Sequence, residues 1–598
     1  MAVSLSLWKK LILGLAVAIL VMAIGVGALE LGLRLFGYGH DTRFFRQERD
    51  AHGQLWWREN RWVTAPYFPP ELIRRPQSIR LPVAKVPGTY RIVVLGSSAA
   101  MGDPEPAFSI SRQLDVLLSA AYPEIHFEIV NAGITAINSH VVRALANDCA
   151  EIQPDLFIVY EGNNEVIGPY GPGTVFSPFL GSASAIRAGQ LIKSSRTGQL
   201  LAAFARKAGN AKKQLGDWGG MQMFLKNEID RDDPRLQTMR ALFRENLMAI
   251  ADAARRAQAE AFFCTVLTNQ KDFAPFQSRH APGLAGDDLQ KWNNAFEAGN
   301  CDFAAGDDGA AETHYRDALR LDDHFADLRF RFGKLLLRQG RDEEAKVHLQ
   351  AALDLDALRF RTDSDLNRVI RDLSAGGLQV VDLVAAAEKT SPKGVIGDEL
   401  LYEHVHLNFQ GTYIVARELF AQVSKTLVRA GKIKEQKTGN DLLPMAELRH
   451  RLAYTAYEQG MIIKEMQARV SRPPFTAQSD NAARQKFYAE RAAVASQILL
   501  QPENKEGLAA IYERALALRP GDWMLRRNVG MAYVALGFAE RAVPLLERCR
   551  AKIADDADTL FALALAQQGL GKSTAAAEAF ARVREIEPRY PGLPTEKK

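Results

Sequence analysis

Five short, unbroken apolar runs constrain the fold of this 598-residue chain more than any other feature: Arg91–Leu95 (RIVVL), Phe127–Val130 (FEIV), Leu156–Tyr160 (LFIVY), Ala261–Leu267 (AFFCTVL) and Leu378–Val384 (LQVVDLV). Runs of this length without polar alternation suit strands covered on both faces. Helical stretches lie between them, so they predict βα units around a five-stranded parallel sheet. One helix is well marked, with Asp232, Asp233 and Pro234 offering cap and first-turn residues ahead of the periodic run Leu236–Ala257. At 47% hydrophobic and 24% charged, the composition is that of an ordinary globular protein. The length allows three or four units of about 150 residues.

The fourth and fifth runs lie more than a hundred residues apart, too far for a bare loop in a compact domain. The stretch between them repeats. Ala311, His314, Ala318, Leu319, Leu321 and Asp322 recur 34 residues later as Ala345, His348, Ala352, Leu353, Leu355 and Asp356, with Gly340 ending the helix between. That is the period of tetratricopeptide repeats, helix pairs that bury their small-residue faces by stacking. A second array is expected at the C-terminus, where Gly537 and Ala542 recur as Gly571 and Ala576, and Pro520 and Pro588 stand two periods apart. Ahead of it, Leu442–Val470 reads as helical. Ser471-Arg472-Pro473-Pro474 breaks that helix and predicts a hinge near Pro473.

At the N-terminus, Leu11–Leu29 carries no charge over 19 residues and rises about 28 Å as a helix, enough to cross a bilayer core. Lys9 and Lys10 favour a cytoplasmic start and an exported remainder. Arg34, Arg43 and Arg46 pull the other way, and the small residues Val26-Gly27-Ala28 leave a cleaved signal peptide as the rival to an anchor. Trp56, Trp57 and Trp62 are expected to pack on the following domain rather than sit at the membrane surface. The chain thus divides into an anchor (1–35), a juxtamembrane lead-in (36–89), a sheet domain in two parts (90–270 and 377–432), an inserted repeat region (271–376), a helical linker (433–480) and C-terminal repeats (481–598).

Net charge is +5 with no dense Lys/Arg block, so no nucleic-acid partner is expected. Cys149, Cys264, Cys301 and Cys549 are widely spaced and lack metal-ligand patterns, so no disulfide framework, metal site or cofactor is expected.

The chemistry lies at the ends of the runs. After the first comes Gly96-Ser97-Ser98-Ala99-Ala100-Met101-Gly102, after the second Asn131-Ala132-Gly133, after the third Gly162-Asn163-Asn164-Glu165, and after the fifth Glu403-His404-Val405-His406. All fall at the carboxyl edge of the sheet, where ligands bind in such folds. Together they offer a hydroxyl nucleophile, an imidazole base, a carboxylate to orient it and donors for an oxyanion.

In these four ordered blocks the chain resembles the SGNH (GDSL-like) hydrolase superfamily, in a membrane-anchored bacterial branch with tetratricopeptide repeats. The resemblance implies a flavodoxin-like, three-layer αβα domain and no cofactor. It makes Ser98 the nucleophile, and His406 the base, with Glu403 holding the imidazole. It places the oxyanion hole at the Ser98 backbone, Gly133 and Asn164. Three acidic positions of the family pattern are altered, to Ser97, Glu165 and Glu403. Glu403 adds a methylene to the orienting side chain, which leaves Asp398 as a substitute. His404 has the wrong spacing for the base and is expected to be a surface or packing residue. The Gly168–Gly173 loop, with Tyr170 and Phe176, is a candidate wall for the acyl pocket. The loop Lys271–Phe276 is a weaker one.

The function expected is that of an esterase held on the periplasmic side of the inner membrane. Its substrate would be an acyl ester, an envelope polysaccharide being one choice, and acyl transfer stays open beside hydrolysis. The alternative is a catalytically silent scaffold whose repeats bind protein partners at the membrane.

Overall fold

The computed structural model describes residues 7–208 and 219–594. Strands β1 (Phe45–Arg49), β2 (Leu55–Glu59) and β3 (Arg80–Pro82) form a small antiparallel sheet in the lead-in segment. The tryptophans of this segment pack within the lead-in: Trp57 is buried beside Phe45, Trp56 donates to Asp50 Oδ2 at 2.8 Å beneath the Arg80 guanidinium, and Trp62 stacks on His40.

The central sheet is five-stranded and wholly parallel. It is built from β4 (Thr89–Gly96), β5 (His126–Asn131), β6 (Leu156–Tyr160), β7 (Glu260–Cys264) and β8 (Gln379–Val381), in the order β5-β4-β6-β7-β8. The chain runs first to one side of β4 and then crosses to the other. Right-handed crossovers therefore place the helix Ile110–Ala121 on one face and the helices Ser139–Cys149 and Pro234–Arg256 on the opposite face. The reversal at β4 opens a crevice at its carboxyl end. In the Pro234–Arg256 helix, Asp233 caps the start by accepting from Arg235 N, as its sequence signals.

Two strands are shorter than their apolar runs. Asp382 accepts from Ala385 N at 3.1 Å and opens the helix Leu383–Glu388, so β8 stops at Val381; β7 ends at Cys264. The end of β4 is sterically exacting. Gly96 has φ +155, and a Cβ there would lie 2.1 Å from Tyr160 O and 2.7 Å from Ala100 Cβ. Gly96→Ala is expected to cost more than about 1 kcal/mol, lowering Tm by at least roughly 2–4 °C; thermal unfolding followed by circular dichroism checks this.

Between β7 and β8 stand the helices Gly286–Ala305, Asp308–Leu321, Ala326–Arg338 and Asp342–Leu355. Their stacking depends on glycines 34 residues apart. A Cβ on Gly299 would lie 2.7 Å from the Tyr315 ring, and one on Gly333 2.6 Å from Leu349. Five more helices, from Pro502–Leu518 to Ser573–Ile586, form the C-terminal array, where Gly530 meets Leu546 in the same way. This array folds back onto the rest of the chain. Arg112 pairs with Asp522, Arg519 with Asp115, and Arg75 with Glu587 at 3.0 Å, while Arg80 donates to Lys552 O at 2.6 Å. A cleft of about 740 Å³ lies between it and the lead-in sheet, with Pro104 and Glu105 also in its lining. The predicted hinge at Pro473 is instead a docked turn: Phe475 is buried against Phe273, Phe276 and His404, fixing the connection in place.

Among the described residues, one helix is long and apolar enough to cross a membrane, Leu11–Leu35, and its apolar window is not buried in the protein.

Candidate active site

Ser98 stands on the first turn after β4. Ser97 is extended, Ser98–Met101 makes a single helical turn, and Gly102 at φ +95 ends it by donating to Ser98 O. As the first residue of that turn, Ser98 has a backbone N–H with no partner inside the helix. Its hydroxyl is 2.8 Å from His406 Nε2. The structure thus joins residues 308 positions apart in sequence.

Glu403 completes the line. It is fully buried, and its Oε1 accepts both from His406 N at 2.9 Å and from His406 Nδ1. The tight turn that pairs Leu401 with Leu407, with Tyr402 N donating to His406 O, brings Glu403 back over its own loop, so the added methylene is accommodated. Asp398 lies elsewhere, with Asn269 at 2.7 Å and Arg484 at 3.2 Å. His404 is a packing residue, not a surface one: it is buried among Phe273, Phe276 and Phe475, with Nδ1 against Glu403 Oε2. Burial holds its pKa well below the ordinary value, so it faces Glu403 as a neutral ring.

Gly133 and Asn164 follow β5 and β6, the two neighbours of β4. The Gly133 N–H is not open as expected, because it donates to Asn131 Oδ1 at 3.0 Å. Asn131 also donates to Met101 O at 3.1 Å, tying this loop to the Ser98 turn. A Cβ on Gly133 would come 2.5 Å from Met101 N, so only glycine fits between the two blocks. Asn164 uses one amide hydrogen on Ile137 O at 2.9 Å, and a primary amide keeps a second donor.

Glu165 is a structural carboxylate, accepting from Ser139 N and Oγ at 2.7 Å each and so holding the start of the Ser139–Cys149 helix. Burial raises its pKa to about 7. The pKa of the neighbouring Glu161 is pushed well up by burial and by the Glu165 charge. Tyr170 is not a pocket wall. Only 3% exposed and at φ +64, it packs against His140 and beneath Lys193. Phe176 lies between Phe68 and Phe224. The loop Lys271–Phe276 supports the back of the site through Phe273 and Phe276 on His404.

Two residues of the site escaped sequence reasoning. Asp103 Oδ2 is 3.2 Å from His406 Nε2, and Arg469 Nη1 is 2.6 Å from Asp103 Oδ2 and 3.4 Å from His406 Nδ1. Burial alone would raise the Asp103 pKa, but the Arg469 charge, helped by His406, brings it net below the ordinary value. Burial lowers the His406 pKa to about 4 despite the opposing Asp103 charge. Asp103 directly follows Gly102 of the first glycine-serine block, and that adjacency is the one signal that could have found it. Arg469, on the helix Ala456–Val470, left no signal.

Residues 326–357 match the tetratricopeptide-repeat family model. No curated protein sequence matches this chain. Among solved structures, the acetyl xylan esterase AlAXEase is similar at 12% identity, over 56% of this chain and 99% of its own, with a TM-score of 0.26. A GDSL-like lipase from Bacteroides thetaiotaomicron VPI-5482 is similar at 10% identity, over 56% and 89%, with a TM-score of 0.23. YrrB, a tetratricopeptide protein with an unusual peptide-binding site, is similar at 13% identity, over 51% and 88%, with a TM-score of 0.15. Likenesses this loose carry no functional argument, and the site stands on its own geometry.

Proposed function

We propose that this protein is an SGNH-type serine esterase, anchored in the inner membrane by its N-terminal helix with the sheet domain on the periplasmic side. The observation that carries the proposal is the unbroken line Ser98 Oγ, His406 Nε2, His406 Nδ1, Glu403 Oε1 at the crevice where the sheet reverses. In that arrangement His406 takes the Ser98 proton as Oγ attacks the ester carbonyl. The tetrahedral oxyanion lies toward Ser98 N, the Asn164 amide and Gly133 N, the last exchanging its bond to Asn131 for one to the oxyanion. Collapse expels the alcohol, which receives the proton from His406, and leaves an acyl-serine. Water then reverses the sequence. An alcohol in place of water makes the same site a transferase.

The substrate class proposed is a hydroxyl-rich ester such as an O-acylated envelope polysaccharide, for which the cleft lined by Arg58, Arg61, Glu465 and Arg527 and reaching Pro104 and Glu105 offers charged and polar partners. The scaffold reading is less favoured, because the C-terminal repeats already engage the sheet domain through Arg112–Asp522 and Arg519–Asp115.

A fluorophosphonate probe tests the nucleophile: stoichiometric labelling together with turnover of p-nitrophenyl acetate is expected, and a folded protein that does neither refutes the proposal. Adding alcohol acceptors to the turnover assay separates transfer from hydrolysis. The pH profile tests the base. His406 must be neutral to accept a proton, and its folded pKa is about 4 instead of 6.5. Activity is therefore expected to hold as pH falls through 6.5 and to be lost through about 4, read as the acid limb of kcat/KM.

A further inference from the structure

The helices Ala183–Ser194 and Arg196–Ala208 form a hairpin whose outer face is apolar and uncovered. Leu191 is 74% exposed, and Ile192, Leu201 and Phe204 are each 61% exposed. Ala188, Leu191 and Ile192 follow the spacing i, i+3, i+4, as do Leu201, Phe204 and Ala205, so each helix presents one continuous stripe. Four large side chains left in water on one small hairpin form a patch of the kind that marks an interaction surface.

The position of the hairpin identifies what covers it. Glu30 is the first charged residue after the apolar run Leu11–Leu29. Its carboxylate accepts from Arg196 N at 3.1 Å, Thr197 N at 2.8 Å and Thr197 Oγ1 at 2.9 Å, capping the second hairpin helix. Gln199 adds a reciprocal pair of bonds to the His40 backbone, at 2.8 and 2.9 Å. The hairpin is therefore bolted to the N-terminal helix at the level where that helix leaves its apolar stretch. Lys193, Arg206 and Lys207 lie on the same two helices, and Arg34 lies beside Glu30. Apolar stripes with basic neighbours suit the boundary between acyl chains and anionic headgroups.

We propose that the face carrying Leu191, Ile192, Leu201 and Phe204 lies in the membrane surface as a second lipid contact beside the anchor. This rests on the anchor reading of Leu11–Leu29. A single spanning helix leaves the attached domain free to rotate and tilt, whereas a second contact fixed to its base sets the height and facing of the sheet domain above the bilayer.

The test uses the full-length chain in nanodiscs of phosphatidylethanolamine and phosphatidylglycerol, in a Cys301→Ser background, since Cys301 is the exposed cysteine and the other three are buried. A nitroxide is attached at Leu191→Cys, Leu201→Cys or Phe204→Cys, with Val17→Cys in the spanning helix as reference, and oxygen and nickel-chelate accessibilities are compared. Oxygen-accessible, nickel-shielded labels at a depth of about 5–10 Å are expected at all three hairpin positions. Nickel-accessible hairpin labels with a lipid-exposed Val17 site overturn the proposal. So do labels shielded from both reagents, which report a protein partner on this face. A nickel-accessible Val17 site removes the anchor reading and this proposal with it, leaving the esterase chemistry untouched.

Discussion

Ser98→Ala is expected to lower kcat/KM for p-nitrophenyl acetate by roughly 10⁴–10⁶-fold and to abolish fluorophosphonate labelling. The adjacent hydroxyl, on Ser97, does not replace the lost nucleophile, because it is buried with its backbone extended and is only 1% exposed. His406→Ala is expected to match this loss, and the double variant to lose no more than either single one, since nucleophile and base act as a unit. The fold is expected to survive Ser98→Ala. The change removes one half-buried hydroxyl and its bond to His406, worth about 0.5–1.5 kcal/mol. A variant inactive with an unchanged Tm locates the defect in chemistry. Retained turnover in the Ser98 variant would exclude the acyl-serine route.

The second large effect is expected at Glu403, where Gln should cost about 10⁴-fold in kcat. Glu403 Oε1 takes two donors from the same residue, His406 N and His406 Nδ1, and so fixes the ring with its lone pair on Nε2 facing Ser98. An amide can present N–H to Nδ1 and stabilise the opposite tautomer, which carries its proton on the atom that must accept one. Glu403→Asp keeps the charge and is expected to retain more activity than Gln. Asp103→Asn is the informative comparison. Asp103 also reaches His406, but at Nε2, where it stabilises the imidazolium and not the Nδ1–H tautomer that Glu403 selects; its loss is expected to be the smaller. Equal losses at 103 and 403 would show that Glu403 acts by charge alone.

The parts of this fold legible in sequence were those written in local periodicity or in fixed motifs. Leu156–Tyr160 matches β6 residue for residue, and the 34-residue repeat locates the insert, because in each case neighbouring residues carry the whole signal. The run Leu378–Val384 misled because Asp382 is equally a strand-end residue and a helix cap, and the bond to Ala385 N decides between them. Ser98, Glu403 and His406, singled out by strand-end motifs that record topology indirectly, lie together in one hydrogen-bonded line. Arg469 could not be found that way. Its place beside Asp103 depends on the Ala456–Val470 helix docking across the crevice, and docking of distant elements leaves no periodic trace. Tyr170 was misplaced for the opposite reason: glycine and proline around it suggested an open loop, while its ring was needed in the core.

The wide separation of the site residues also sets when the protein can first act. Ser98 and His406 are 308 residues apart, and Arg469 follows 63 residues later. At roughly 5–20 residues per second, a ribosome needs about 15–60 s to pass from the serine to the histidine. During that time the emerging chain acquires the rest of its five parallel strands, the last ending at Val381, and all of the inserted repeats, but no base to activate Ser98. The hydroxyl is thus inert through most of synthesis. On the proposed mechanism the full line of side chains arrives only with the Glu403–His406 loop that follows the last strand, so a chain truncated anywhere before His406 is expected to be inactive.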